Sequence, residues 1–355
     1  MRYPILSIDS KKLKNNIEVI KSILGPKVNL VAVTKMFLSE PEIVKIYLET
    51  GINLIADSRI DNLKKISGLK CQKMLLRIPS FSEAQDVVKF SDISLNSEYE
   101  TIKYLNRFAQ ELNILHRIIL MIDFGDLREG YFNREELFSD IEKIIKLGNI
   151  KIEGIGLNLK CYGGVIPTSS MMKKISIYRE KIEERFDIEI KTISGGNSSS
   201  IYLAQKGQLY SVNNLRIGEA IVLGRELAYD KRIEGTYEDI VRLKAQIIEI
   251  KEKPSIPIGE TGLDSFGHKV EFVDRGIRKR AIVALGKLDI PLDSISTLDE
   301  DAIILGASSD HMIIDISDSD IKYKLGDIIE FKLDYSGILM ASSSDYIDKI
   351  IVNEV

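Results

Sequence analysis

The sequence predicts an α/β chain: a (β/α)8 (TIM) barrel over residues 10–232, then a smaller, mainly antiparallel β domain over residues 233–355 joined by the N-terminal strand 1–9. Three observations lead there. Short, nearly uncharged β-branched runs alternate with amphipathic stretches through the first two-thirds of the chain, the pattern of a parallel sheet buried on both faces. Eight such runs fit within the roughly 200–250 residues that a closed barrel requires. Beyond Ala228–Gly235 the helical period fades and turn-bounded strand segments take over.

The run Pro4–Ile8 precedes the first helix and is expected to pair with the β domain. Val28–Thr34 (VNLVAVT) is the first barrel strand, β-branched and uncharged. The others are Asn53–Ala56, Met74–Ile78, Ile93–Leu95, Ile118–Asp123, Ile152–Leu157, Ile188–Ile193 and Tyr210–Leu215. Helical patterns lie between them at Pro41–Glu49, Arg59–Ile66, Glu98–Leu112, Arg134–Lys146 and Ser170–Arg185. After Tyr237 the segments VRLKAQIIEIKE, HKVEFVD, RKRAIVALG, AIILGAS, HMIIDIS and IIEFKLDYSG read as strands.

Composition narrows the function classes. Lys+Arg 49 against Asp+Glu 53 gives a net charge of -4, without the basic footprint of a nucleic-acid binder. No apolar run approaches the roughly 18 residues that span a bilayer, and the first residues lack a secretory signal. Two cysteines are too few for a disulfide framework, and His116, His268 and His311 show no metal-ligand spacing. A reduced, cytoplasmic enzyme or binding protein for a small molecule is expected, with no metal, nucleic-acid or membrane partner.

Barrel enzymes carry their chemistry at the C-terminal strand ends. Lys35 follows strand one; its amine would form a Schiff base with a carbonyl compound, or simply cap the strand and reach water. Strand seven ends in Ser194-Gly195-Gly196-Asn197-Ser198-Ser199-Ser200, whose backbone N–H groups and hydroxyls suit a phosphate, although Gly/Ser loops are also common as plain connections. Gly218 after strand eight would complete the cradle. Arg216 would face a ring nitrogen or form a barrel-mouth ion pair. Arg128, in DFGDLREGYF, would hold a substrate carboxylate or be a surface charge.

Taken together, these features resemble the alanine racemase family of fold type III pyridoxal 5′-phosphate enzymes. The segments VAVTK, IADSRIDNLKK, LLRIPS, ISLNSE, DFGDLREG, NLKCYGGVIPT, ISGGNSSS, NNLRIGEAIVLGRE, VDRGIRKRAI and LGASSDH look most like its ornithine-racemising members. The resemblance implies an isomerase with pyridoxal 5′-phosphate on Lys35, which is also one acid/base. It implies Ser194, Gly196, Asn197, Ser198 and Gly218 around the phosphate, with Asn158 and Arg216 beside the ring. Arg128 and Ser309 would bind the substrate carboxylate. It further implies a head-to-tail homodimer with shared sites.

The chain departs from the family at four places. Gly286-Lys287-Leu288-Asp289 stands where Gly-Tyr-Ala-Asp is usual, so Lys287 replaces the tyrosine that moves the second proton. Tyr162 and His311 are alternatives for that role. Met121–Gly125 replaces Lys-x-Asp-Thr-Gly, Asn158 falls near a usual histidine, and Ser308–His311 replaces Cys-Met-Asp-Gln. These changes point away from alanine, and the segments quoted above imply L- and D-ornithine as the substrate pair. Asp264, Asp289, Asp310 and Glu129 are candidates for binding a distal ammonium. Racemisation of alanine, lysine or a range of basic amino acids is the alternative, ahead of a cofactor-homeostasis protein or a decarboxylase.

Overall fold

The computed structural model describes residues 2–263, 266–267, 269 and 271–353. The chain divides into one unit of Lys11–Glu238 and another made of Met1–Ser10 with Asp239–Val355.

The first unit is a closed parallel barrel. Its strands are Asn29–Val33, Leu54–Asp57, Gln72–Leu75, Ile93–Asn96, His116–Met121, Ile150–Gly156, Thr192–Ser194 and Asn214–Ile217. The last pairs in parallel with the first, from Asn29↔Asn214 to Ala32↔Ile217, and so closes the ring. Val31, Val33, Ala56, Met74, Ile93, Leu95, Ile119 and Met121 form one buried cluster, which explains why the strands read as apolar runs. Helix boundaries follow local chemistry. Pro41 opens Pro41–Glu49, and the Asn133 and Thr168 side chains cap Arg134–Ile144 and Ser169–Phe186. Residues 233–238 stay with this unit: Asn16 Oδ1 accepts Tyr237 N–H at 2.8 Å, and Asn16 Nδ2 donates to Tyr237 O at 2.7 Å.

Two strand positions correct the sequence reading. The seventh strand is Thr192–Ser194, not Ile188–Ile193: Ile190 is buried as part of the connection, and its N–H is held by Glu183 Oε1 at 2.9 Å. The eighth is Asn214–Ile217, not Tyr210–Leu215, because Tyr210 has φ +54°, which an extended strand cannot contain. Arg216 therefore lies inside the strand rather than in the loop behind it.

The second unit is organised on the long strand Val241–Pro254. Its Leu243–Gln246 stretch faces Ile328–Leu333, and Ile247–Pro254 faces Ile277–Val283, the latter pairing carrying a register shift between Ile247 and Glu249. Met312–Asp315 and then Ile303–Ala307 extend one side, and Ile295–Thr297 edges the other. Ile5–Asp9 pairs antiparallel with Val241–Pro254 and parallel with Asp348–Val352. Of the HKVEFVD segment, read as a strand from the sequence, His268 and Val270 lie outside the described residues; the described Lys269 and Glu271–Asp274 form no strand, and Lys269 makes an isolated bridge with Leu263. A helix, Tyr335–Ser343, follows Ile328–Leu333 where the sequence read as strand and turn; Asp334 caps it by accepting Gly337 N–H at 2.8 Å.

Candidate active site

Lys35 opens the short turn Lys35–Phe37 directly behind the first barrel strand. Met36 and Phe37 are buried, so the half-buried lysine stands on an anchored base. Below it, Thr34 and Ser39 hydroxyls lie 2.8 Å apart, and Ser39 donates to Asp57 Oδ2 at 2.8 Å.

On the neighbouring eighth strand, where it aligns with Val31, Arg216 is buried with its guanidinium fixed at three points. It donates to Ser194 Oγ, to Leu157 O at 2.9 Å and to Asn158 Oδ1 at 3.5 Å. Ser194 Oγ donates onward to Asn214 Oδ1 at 2.7 Å. Burial pushes Arg216 down to about 10, still a cation at neutral pH. Asn197 ties the seventh loop to the sixth, with Nδ2 donating to Leu159 O at 2.8 Å and to Asn158 Oδ1 at 3.1 Å. Cys161 Sγ accepts from Asn158 Nδ2 at 3.1 Å.

The SGGNSSS segment is not a loose connection. Ser198, Ser199 and Ser200 are buried in the turn Ser198–Ser200 that leads into helix Ile201–Gln205. Ser198 Oγ accepts Ala220 N–H at 3.2 Å, which joins the seventh and eighth loops. Ser200 Oγ donates to Gly195 O at 2.7 Å, and Gly196 O accepts Arg216 N–H at 3.0 Å. Ser199 Oγ is buried without a hydrogen-bond partner among the described residues. Gly218 packs backbone to backbone on the first strand: a Cβ there would lie 2.8 Å from Val33 O. The sequence reading singled out Ser198 but passed over Ser199, because nothing in a serine triplet tells which hydroxyl is orphaned.

Arg128 pairs with the adjacent Glu129 carboxylate. Burial lowers its affinity for the proton, but Glu129 outweighs that and holds it above the usual value. Two residues earlier, Asp126 organises the loop behind the sixth strand. Its carboxylate accepts backbone N–H groups of Lys160, Cys161, Tyr162 and Val165 at 2.9–3.1 Å. Burial raises the Asp126 carboxyl, yet those four donors outweigh it and hold the group below the usual range. Sequence analysis missed this residue; four bonds to main chain leave no residue-type signal. Tyr162 is 76% exposed.

Lys287 and Ser309 belong to the β unit. Lys287 N–H donates to Ser308 O at 2.9 Å and Leu288 N–H to Ser309 O at 3.1 Å. Gly286 permits this approach, since a Cβ would fall 1.9 Å from Ser309 O. Lys287 is half-buried, with its ammonium 4.1 Å from the Phe266 ring centroid. Ser309 Oγ donates to Asp310 Oδ2 at 2.5 Å; Asp289 accepts from Gly286 N and Ser344 Oγ; His311 is exposed. Asp264 and His268 lie outside the described residues. Among the described residues no helix is long and apolar enough to cross a membrane, and no acidic, histidine or cysteine cluster fits a metal ion.

Residues 8–226 match the family model described as alanine racemase, N-terminal domain. The chain belongs to the alanine racemase family. Within it, the chain is 49% identical over 351 residues to an ornithine racemase of Acetoanaerobium sticklandii, covering 98% of this chain and 99% of that one. It is 38% identical to a lysine racemase of Thermotoga maritima, with 99% of each chain covered. Among solved structures, alanine racemase from Bartonella henselae with covalently bound pyridoxal phosphate superposes with a TM-score of 0.77 at 19% identity, covering 99% of this chain and 100% of that one. This family fold, barrel plus β domain, is the architecture described above.

Proposed function

We propose that this alanine racemase family member is a pyridoxal 5′-phosphate-dependent racemase that interconverts L- and D-ornithine. The observation that carries this reading is the near-full-length relation to the ornithine racemase, 49% identical.

The residues present fit the cofactor. Lys35 offers an amine on an anchored turn. The orphaned Ser199 hydroxyl, the Ser198 hydroxyl and the backbone at Gly218, where a side chain has no room, suit a phosphate. Ser194, Gly196 and Asn197 hold that loop in place. Arg216, fixed by Ser194, Leu157 and Asn158, presents a rigid cation to the ring. When bound, pyridoxal phosphate withdraws electrons from the Cα–H bond of the amino acid.

Racemisation takes a proton from one face of Cα and returns one to the other. Lys35 Nζ serves the first face, and Lys287 Nζ of the partner subunit serves the second in a head-to-tail homodimer. Arg128 turns from Glu129 to the substrate carboxylate, assisted by Ser309. Because Arg216 remains a cation, a proton is not stored beside it, and the exchange stays with the two lysines.

The test is incubation of the cofactor-loaded protein with L-ornithine followed by chiral chromatography. D-ornithine should accumulate until both enantiomers are equal. Racemisation of alanine but not ornithine, or release of CO2, would overturn the reading. Lysine belongs in the same assay because of the 38% identical lysine racemase.

A further inference from the structure

Residues Leu38 and Ser39 both take left-handed backbone conformations, φ +53° and +50°, immediately after the turn that begins with Lys35. Two consecutive non-glycine residues in that region are uncommon and persist where surrounding contacts over-determine them. Here the contacts are visible. The reversal folds Ser39 back so that its N–H donates to Thr34 O at 3.3 Å, which closes a loop around Lys35. The two hydroxyls then meet at 2.8 Å, and Ser39 Oγ donates to Asp57 Oδ2 at 2.8 Å. Thr34 Oγ1 also reaches Ala56 O at 3.3 Å. Thr34, Ser39 and Asp57 are fully buried.

Asp57 is held from the other side as well. Its Oδ1 accepts Arg59 N–H at 3.0 Å and Asn62 Nδ2 at 2.9 Å. One oxygen is therefore committed to the start of helix Ile60–Lys65, and the other reaches across to the turn behind the neighbouring strand. A residue needed only to start its own helix has no use for the second bond. The hydroxyl–hydroxyl–carboxylate chain ends on the residue that precedes Lys35.

We infer that Ser39 and Asp57 are positioning residues for Lys35: through Thr34 they hold the turn that aims the lysine amine at the reacting carbon. The inference rests on the reading of Lys35 as the cofactor-bearing residue. Both side chains are fully buried, so they act through the backbone on either side of Lys35.

Three variants of the holoenzyme test it. Ser39→Gly removes the hydroxyl but suits the left-handed backbone, so it separates hydrogen bonding from backbone strain. Ser39→Ala removes the hydroxyl and keeps the strain. Asp57→Asn keeps an acceptor for Arg59 N–H while its amide donates to Ser39, with the two hydroxyls turning to Thr34 and Ala56. Ser39→Gly should melt near the wild-type temperature yet lose about 10- to 100-fold in kcat, with KM for ornithine changed by less than about threefold. The visible circular dichroism of the lysine-bound cofactor should weaken with it. Ser39→Ala should show the same loss plus a lower melting temperature. Asp57→Asn should restore most of kcat and the dichroism relative to Ser39→Gly.

Wild-type kcat and dichroism in Ser39→Gly would overturn the inference, as would an Asp57→Asn variant that loses as much as Ser39→Gly. Borohydride reduction and peptide mapping of the wild type keep the two readings apart. A pyridoxyl label on Lys35 upholds the cofactor assignment whatever the variants do. A label on another lysine overturns that assignment and this inference together.

Discussion

Gly218 rests directly on Val33: a Cβ added at Gly218 would lie 2.8 Å from the Val33 carbonyl oxygen and 3.0 Å from Val33 Cβ. The eighth loop thus meets the strand that delivers Lys35 at a contact which admits no side chain. Gly218→Ala should force the two backbones apart and destabilise the barrel by about 1–3 kcal/mol. Cofactor affinity should fall further than stability alone accounts for, because the phosphate loop moves with it. Thermal melting with and without pyridoxal phosphate checks both effects.

Asp126 makes a prediction in pH. Its folded-state carboxyl is held below the usual range, so its stabilisation is present above the unfolded value of about 3.9 and is lost as pH falls through the lower folded value. Asp126→Asn should destabilise the protein by about 1–3 kcal/mol at neutral pH by leaving backbone donors of the Lys160–Val165 loop poorly paired. Denaturant melts at a series of pH values should show the gap between wild type and variant closing on the acid side. A constant gap down to the lowest pH would contradict the assignment.

Lys287→Ala should leave pyridoxal phosphate attached to Lys35 but cripple racemisation by roughly 100- to 10,000-fold, the usual effect of losing a general acid. In deuterated solvent, exchange at Cα should become strongly biased towards one ornithine enantiomer. Near-normal turnover of both enantiomers would remove Lys287 from the chemistry and turn attention to His311 or Tyr162.

Shared sites make a separate prediction. Lys35→Ala and Lys287→Ala subunits, each inactive alone, should regain some activity when mixed, because a hybrid dimer contains one site with both lysines. Full activity in a dilute sample shown by light scattering to be monomeric would rule that arrangement out.

Much of the barrel was legible because a strand buried on both faces leaves a plain trace, as at Asn29–Val33 and Ile93–Asn96. The trace failed where apolar residues are buried by a connection, as with Ile190, or where one backbone angle breaks the strand, as at Tyr210. Helix Tyr335–Ser343 left little sign: Gly337, Ile338, Ala341 and Ser342 are buried, and the remaining residues offer little polar contrast. Of the candidate site, Lys35, Arg216 and the serine loop stand at strand ends, where residue type and position speak together. The Ser39–Asp57 bond joins residues 18 positions apart, both of common polar types, and only the left-handed turn brings them together.

The pairing of Ile5–Asp9 has a consequence for how the protein is made. Ser7 Oγ donates to Arg242 O across 235 positions, and Ile5 aligns with Asp348 on its other side. On the ribosome the first strand emerges long before either neighbour, while every strand of Lys11–Glu238 finds its partners within its own segment. The barrel can therefore close during synthesis with that early strand still waiting. Once closed, it draws the two ends of its segment together and replaces a long floppy loop by a folded one, lowering the entropic cost of the last pairing. Val241–Pro254, which follows the barrel segment directly, is then the first neighbour the waiting strand meets, and Asp348–Val352 later covers its other edge.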